Sequence, residues 1–421
     1  MTSILDKLKN GKTPFQKFSN IKTLDLNKTI ESIEGLSHST TSRTETWIIN
    51  FNKEIQKELH VKKGFMKICI DHKSFNTNDE DTRIFLKSYE IENKIYRYIN
   101  ELLNRRITNN FIGLLTIRQG ISLKDMVSII SEKNVNGVLL TKNNATKNFK
   151  RNILDSIKDF DEDIERITIG KPGRTRNIDF SHGKKWRYSY IITEAVREQD
   201  IIMDEYFSSL GDTPSSSTSY STSSCSSFNN ECWNIIFQVS HACFIMEKFN
   251  IMHNDLHSCN IWLRVSNTVK NTTYKVNENT FNIQSKFTAL IYDFDRGYME
   301  YNNVEYKNEA SQFFEEFKQT SEMVKGRDFM RFLILLKYYI KDRKDINKIV
   351  ECIGKNEMSK FKILYFFFKE DLDYYVLGKE FLNETMLDME NIMINFHKLT
   401  ESRNDLPQNN VFKYRDDVKY M

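Results

Sequence analysis

One polar stretch, set between two apolar elements, constrains this chain more than any other. Ile251 to Ile261 carries His253, Asp255, His257 and Asn260 within eight residues. Just before it, Cys232, Ile236, Val239, Cys243 and Met246 recur at alternating spacings of four and three. That pattern makes Asn229 to Phe249 an amphipathic helix leading into the loop. Ile261-Trp262-Leu263 leads out of it. A second apolar run, Ala289 to Tyr292, ends in Asp293-Phe294-Asp295-Arg296. Asp255, Asn260 and Asp293 are the trio from which a site can be built.

The chemistry of phosphoryl transfer calls for such a trio. A carboxylate orients the attacking hydroxyl and accepts its proton, and oxygen ligands hold magnesium against nucleotide phosphates. Magnesium favours carboxylate and amide oxygens and keeps several waters. Asp255 and Asn260 stand five apart, the separation found in H-R-D-x-x-x-x-N, and Asp293 stands where D-F-G supplies a metal ligand. Two other readings remain open. The alternation of His253, Asp255 and His257 also suits a hydrolase metal site, and an ordinary polar loop has this composition too.

In this order the two motifs resemble the protein kinase-like superfamily. The run HNDLHSCNI, behind FQVSHACFIMEKFNI, is similar to the serine/threonine kinase-like proteins of large DNA viruses. There is partial similarity to haspin-like kinases and to choline and aminoglycoside phosphotransferases. The resemblance spans about residues 30 to 340. It implies an α+β, bilobal protein kinase-like fold: a β-rich N-lobe with one long helix, and a mostly α-helical C-lobe. It also implies ATP and Mg2+ as cofactors, with transfer to Ser or Thr hydroxyls of a protein substrate.

The implied division is an N-terminal arm over 1–29, an N-lobe over 30–196 and a C-lobe over 197–421. Ile30 to Gly35 and Thr46 to Phe51 read as strands. The Ser/Thr-rich gap between them takes the place of a phosphate-covering hairpin, without its G-x-G-x-x-G; Ser39, Thr40 and Thr41 could meet phosphates, and a plain surface turn fits equally. Gly64 to Ile70 reads as a strand resembling V-A-I-K, which makes Lys67 the phosphate-gripping lysine. Asp81 to Asn104 reads as a helix with apolar positions from Ile84 to Leu102. Glu92 on it matches the glutamate that pairs with such a lysine, and Glu90 is its rival. Asn110 to Ile117 reads as a further strand.

An insertion over about 120–184 carries basic clusters, including Lys142, Lys150, Arg174 and Lys185. A solvated face is the default reading; a docking surface for an acidic protein or nucleic acid is the sharper one. Tyr188 to Val196 resembles the kinase hinge, where the backbones of Glu194 and Val196 would meet the adenine edge. The Ser-rich segment 213–227 is low-complexity and lacks apolar area to bury. It is an inert linker or a self-phosphorylation site.

Other positions depart from the pattern. No A-P-E follows, Asn254 stands in the motif's arginine position, Asp295 in the D-F-G glycine position, and His257 where a lysine is usual. The expectation is therefore a short activation segment without a phosphorylation switch, with His257 reaching a phosphate oxygen and His253 packing the loop. Ser266 to Lys286 reads as a polar surface excursion. Asp328 to Ile340 reads as a buried helix whose Asp328 tethers the central loop. The last fifteen residues read as loose. A small-molecule kinase and a pseudokinase scaffold are the rival functions, since fold resemblance alone does not fix activity.

Composition sets outer bounds. The 421 residues are 39% hydrophobic and 13% aromatic, enough for one large bilobal domain or two smaller ones. The formal net charge is only +4, which argues neither for nor against nucleic acid. Pro is rare, four in all, beside abundant Asn, Ile and Lys, as in products of AT-rich genomes. The six cysteines form no C-x-x-C pair and read as reduced thiols in a cytoplasmic setting. Met1 to Lys7 has no signal-peptide core, and the most apolar runs, such as Phe332 to Leu336, are too short to span a bilayer.

Overall fold

The computed structural model describes residues 26–35, 45–59, 61–70, 80–131, 133–135, 138–139, 187–195, 197–210, 228–307, 322–340, 342–354, 387–400 and 410–415. They are a mixture of helices and sheets. The chain forms two compact units, Met1–Tyr89 with Gly113–Val196 and Glu90–Ile112 with Arg197–Met421.

The first unit is built on a seven-stranded sheet. In chain order its elements are β1 (Ile30–Gly35), β2 (Glu45–Phe51), helix α1 (Lys53–Leu59), β3 (Lys63–Ile70), the first part of α2 (Glu80–Asn104), β4 (Leu114–Ser122), α3 (Leu123–Ile130), β5 (Asn134–Val135), β6 (Val138–Leu139) and β7 (Arg187–Glu194). The strand order is β4-β7-β3-β2-β1-β5-β6. Period-two burial sets its core face: Trp47, Ile49 and Phe51 on β2 and Met66 and Ile68 on β3 pack with Met126, Val127 and Ile129 of α3. Gly64 is required by close approach, since a Cβ there would lie 2.9 Å from Ile192 and 3.0 Å from Phe51. Ser122 caps α3 by accepting the Asp125 N–H at 3.2 Å. The start of the expected insertion is thus part of this sheet. Its basic clusters lie outside the described residues, as do Ser39, Thr40, Thr41, Val196 and the Ser-rich segment.

The second unit holds the rest of α2, β8 (Ile201–Ile202), α4 (Met203–Ser209), α5 (Asn230–Lys248), β9 (Ile251–Met252), β10 (Ile261–Val276), β11 (Asn279–Ile291), β12 (Tyr298–Tyr301), β13 (Val304–Tyr306), α6 (Arg327–Leu336), α7 (Arg343–Ile353), α8 (Met389–His397) and β14 (Asn410–Tyr414). Helix α5 is buried along its whole length from Cys232 to Met246, not on one face. The polar residues that gave it an amphipathic look are spent on β11: Asn234 Nδ2 donates to Gln284 O at 2.8 Å and Gln238 Nε2 to Phe287 O at 3.1 Å. Buried amides are tolerated where each finds a partner.

Three expectations are corrected here. Ser266 to Lys286 is not a surface excursion but the body of the β10–β11 hairpin, paired antiparallel with an irregularity between Val265 and Lys270. Its Tyr274, Val276, Phe281 and Ile283 point inward and are buried. The last residues are not all loose: β14 pairs parallel with β10, and Phe412 and Tyr414 are buried. The strand expected from Asn110 begins only at Leu114, because Asn110 to Ile112 clamp the end of β11. Ile291 N–H donates to Asn110 O at 2.9 Å, and Ile112 N–H to Ile291 O at 3.2 Å. Among the described residues no helix is long and apolar enough to cross a membrane.

Candidate functional site

The central loop leaves α5 through Asn250, whose φ of 51° reverses the chain into β9. From there α6 holds it. Asp328 accepts the backbone N–H of His253 at 2.6 Å and of Asn254 at 2.8 Å. A carboxylate taking two amide donors is a charge-assisted tie stronger than a neutral one. Asn254 is left-handed, with φ 64°, a conformation that Asn tolerates better than most residues. Its Oδ1 accepts from Arg327 Nη2 at 2.5 Å and its Nδ2 donates to Arg296 O at 3.0 Å.

His253 packs the loop. Its Nδ1 accepts the Asp255 N–H at 3.3 Å and its Nε2 lies 2.8 Å from Tyr292 O. Those partners place the proton on Nε2. The ring also packs on Phe294 at 4.8 Å between centroids. Phe294 in turn meets Tyr96 of α2 edge-on at 5.6 Å, and Tyr96 Oη accepts the Asp293 N–H at 3.1 Å. The two segments of the site are therefore joined through one imidazole, one phenylalanine ring and one tyrosine.

Asn260 closes a 3-10 turn. Its Nδ2 donates to Asp255 O at 2.9 Å, and its carbonyl accepts the Tyr292 N–H at 3.2 Å. With the amide nitrogen committed, Oδ1 is the atom left for a ligand. Asp293, next after Tyr292, sits at φ 66°. A non-glycine residue in that region carries strain, and such strain clusters at functional sites. The sequence trio is thus brought to one loop junction, and the short links run through Asn260.

Asp255 shows what the sequence reading missed. Oδ1 accepts from Arg331 Nη2 at 2.6 Å and Oδ2 from Arg296 Nη1 at 2.6 Å. Arg331 Nη1 also donates to Asn254 O at 2.8 Å. The signal for Arg331 was present in the chain as the one basic residue between Asp328 and Leu336 of an otherwise apolar helix. Nothing comparable marked Arg296, which looked like the end of a motif.

His257 is held towards its neutral form. Burial lowers its pKa, with Arg331 and Arg296 acting in the same direction against Asp255. Asn260 Nδ2 lies 3.2 Å from His257 Nε2, so that nitrogen is the acceptor and Nδ1 carries the proton. The 3.9 Å separation from Asp255 is not an ion pair in this state. Beside the loop, Ser258 Oγ donates to Asp204 at 2.6 Å, and Tyr339 Oη donates to the same oxygen. Burial would raise Asp204, but these hydrogen bonds outweigh it and hold the carboxyl below its ordinary value.

The remaining candidates divide between the units. Glu92 is buried on α2 in the second, and Lys67 is half-buried on β3 in the first, with its neighbours Met66 and Ile68 on the core face. Glu194 ends β7. Its N–H donates to Gly113 O at 2.9 Å and its Oε1 accepts the Gly113 N–H at 3.1 Å. A backbone contact from Glu194 to a base would therefore fall to its carbonyl.

The donor chemistry separates the metal readings. His253 has both ring nitrogens engaged and Asp255 has both oxygens on arginine, so the alternating His253, Asp255 and His257 are not an available ligand set. Among the described residues no group of three or more His, Cys, Asp and Glu side chains is arranged to hold a metal. Asn260 Oδ1 and the Asp293 carboxylate are hard oxygen donors. Such a sparse set suits magnesium, which takes one or two carboxylates and completes its shell with water and phosphate.

No family model matches the chain, and no curated protein matches it.

Proposed function

We propose that this chain has a bilobal protein kinase-like fold and transfers the γ-phosphoryl group of ATP to Ser or Thr hydroxyls of proteins. The observation that carries this reading is the way the loop is held. Asp328 takes two backbone N–H groups, while Asn260 fastens the Asp255 carbonyl to the residue preceding Asp293. A group awaiting a transition state needs this kind of fixed geometry.

In the proposed reaction the acceptor oxygen forms a bond to the γ-phosphorus, and its proton passes to Asp255. The bond from that phosphorus to the β,γ-bridging oxygen breaks, and its electron pair leaves with ADP. Magnesium, when bound, would neutralise phosphate charge, with Asn260 and Asp293 as its protein ligands. His257, as a neutral donor, would hydrogen-bond a phosphate oxygen without adding charge. Lys67 keeps the role implied by the resemblance, a phosphate-neutralising ammonium.

One observation favours a second reading, a nucleotide-binding scaffold without turnover: both Asp255 oxygens are occupied by arginines. The test is labelled ATP with magnesium, offered a generic protein acceptor and, separately, small alcohols and amines. Label transferred to protein, and lost in both Asp255→Ala and Asp293→Ala, supports the proposal. Label on the small acceptors alone moves the activity to a small-molecule kinase. Nucleotide binding without any transfer leaves the scaffold.

A further inference from the structure

Helix α6 presents three polar side chains to the central loop from an otherwise apolar surface. Asp328 holds the backbone of His253 and Asn254, and Arg327 holds the Asn254 side chain. Arg331, one turn on, spans two consecutive residues with a single guanidinium: Nη1 on Asn254 O at 2.8 Å and Nη2 on Asp255 Oδ1 at 2.6 Å. Its side chain is 6% exposed, against 33% for that of Arg296 on the other oxygen. One oxygen of the carboxylate is therefore held from the interior and the other from a partly open side.

A carboxylate turns about its last side-chain torsion, and fixing one oxygen fixes the other. The planar fork of arginine suits that task, because two of its nitrogens can bond different residues in one orientation. A lysine at the same place supplies a point charge and cannot reproduce the span. Arg296, the more exposed of the two arginines, holds Oδ2 and can exchange with an incoming group; Arg331 cannot leave without a buried vacancy.

Resting on the reading of Asp255 as the proton acceptor, we propose that Arg331 is a positioning residue for the reaction. It sets the Asp255 carboxylate so that Oδ2, once Arg296 yields it, is the oxygen that meets the acceptor hydroxyl. The charge it supplies is secondary to the orientation it imposes.

The test measures steady-state phosphoryl transfer by the full chain, with ATP, magnesium and a protein acceptor, for wild type, Asp255→Ala, Arg331→Lys and Arg331→Met. Nucleotide affinity and thermal midpoint are measured on the same samples. The expected result is a fall in kcat of about 100-fold for Arg331→Met, the scale on which small misplacements act. Arg331→Lys should recover part of it, with the KM for ATP within about 2-fold throughout. Wild-type kcat in both Arg331 variants, beside an inactive Asp255→Ala, overturns the proposal and leaves the kinase reading standing. A fall in kcat matched by lost nucleotide affinity and a lowered midpoint means a structural role and also overturns it. If Arg331→Met does not fold, Arg331→Lys decides: wild-type kcat overturns the proposal, and a selective loss of kcat supports it. Wild type without transfer, or Asp255→Ala as active as wild type, removes the kinase reading, and the proposal falls with it.

Discussion

Asp328 accepts the N–H of His253 at 2.6 Å and the next N–H along the chain at 2.8 Å, so one side chain on α6 fixes the entrance to the central loop. Asp328→Asn keeps the shape but leaves one oxygen to serve two donors. One buried N–H then faces an NH2 group. The expected outcome is a loss of about 2 kcal/mol of stability, from an unsatisfied buried donor and a lost charge-assisted bond. Denaturant unfolding monitored by tryptophan fluorescence measures it. Stability unchanged within about 0.5 kcal/mol would contradict the tether.

Gly297 closes the turn after Asp293 by donating its N–H to Phe294 O at 3.0 Å. A Cβ at this position would collide with Ile95 Cδ1 and stand 3.0 Å from Phe294 O and 3.2 Å from Met252 O. Ile95 can rotate away, but the two backbone carbonyls cannot. Gly297→Ala is expected to destabilise by about 1–3 kcal/mol, as overpacking does, and to shift Arg296 next to it. A thermal midpoint equal to wild type would show that the turn has room.

How much of this was legible in the chain depends on range. Period-two burial in β2 and β3 and the apolar run of α6 follow from neighbours in sequence, so those elements could be read directly. The β10–β11 hairpin could not. Its Asn, Thr and Lys residues look like a loop until β14 extends the sheet beside β10 and α5 packs on it, burying Tyr274 and Phe281. The loop tether was legible because Asp328 starts an apolar helix. The arginines on Asp255 were not, since ion pairs 41 and 76 residues apart leave no periodicity to detect.

Two buried groups give opposite pH trends. Burial raises Glu247 to about 7 and lowers His241 to about 3. Glu247 binds its proton more tightly folded than unfolded, so its contribution is full below about 4.5 and is lost as pH rises through about 7. His241 stays neutral when folded, so its contribution is full above about 6.5 and is lost as pH falls towards about 3. Between about 4.5 and 6.5 they offset each other. Glu247→Gln removes one slope while retaining an acceptor for the Gly326 N–H. The variant should lose stability more steeply than wild type on acidification from pH 6.5, and should exceed it at pH 8. Parallel curves of unfolding free energy against pH would refute the assignment.

Tyr96 Oη accepts the Asp293 N–H, and its ring packs on Phe294 at 5.6 Å. Tyr96→Phe keeps the ring contact and removes the acceptor. The strained Asp293 backbone, at φ 66°, then loses one of its restraints. Under the proposed function the expected effect is a several-fold higher magnesium requirement for nucleotide binding, with the unfolding midpoint nearly unchanged. Titration of a fluorescent ATP analogue at graded magnesium reads it. An unaltered magnesium dependence would separate Tyr96 from the metal ligand.

Arg296 gives the last prediction: under the proposed function, its bond to Asp255 Oδ2 must open before a hydroxyl can reach that oxygen. The arginine side chain is 33% exposed, so the pair is screened by solvent. Partly exposed ion pairs are worth about 0.2–1 kcal/mol, which corresponds to roughly a 1.4- to 5-fold competition with the acceptor. Arg296→Gln should therefore raise kcat/KM for the protein acceptor by a few-fold while leaving the KM for ATP unchanged. Salt screens such pairs, so moderate ionic strength should raise acceptor kcat/KM in wild type and have less effect in Arg296→Gln. A fall in kcat/KM in the variant would mean that Arg296 assists the transfer instead of standing in its way.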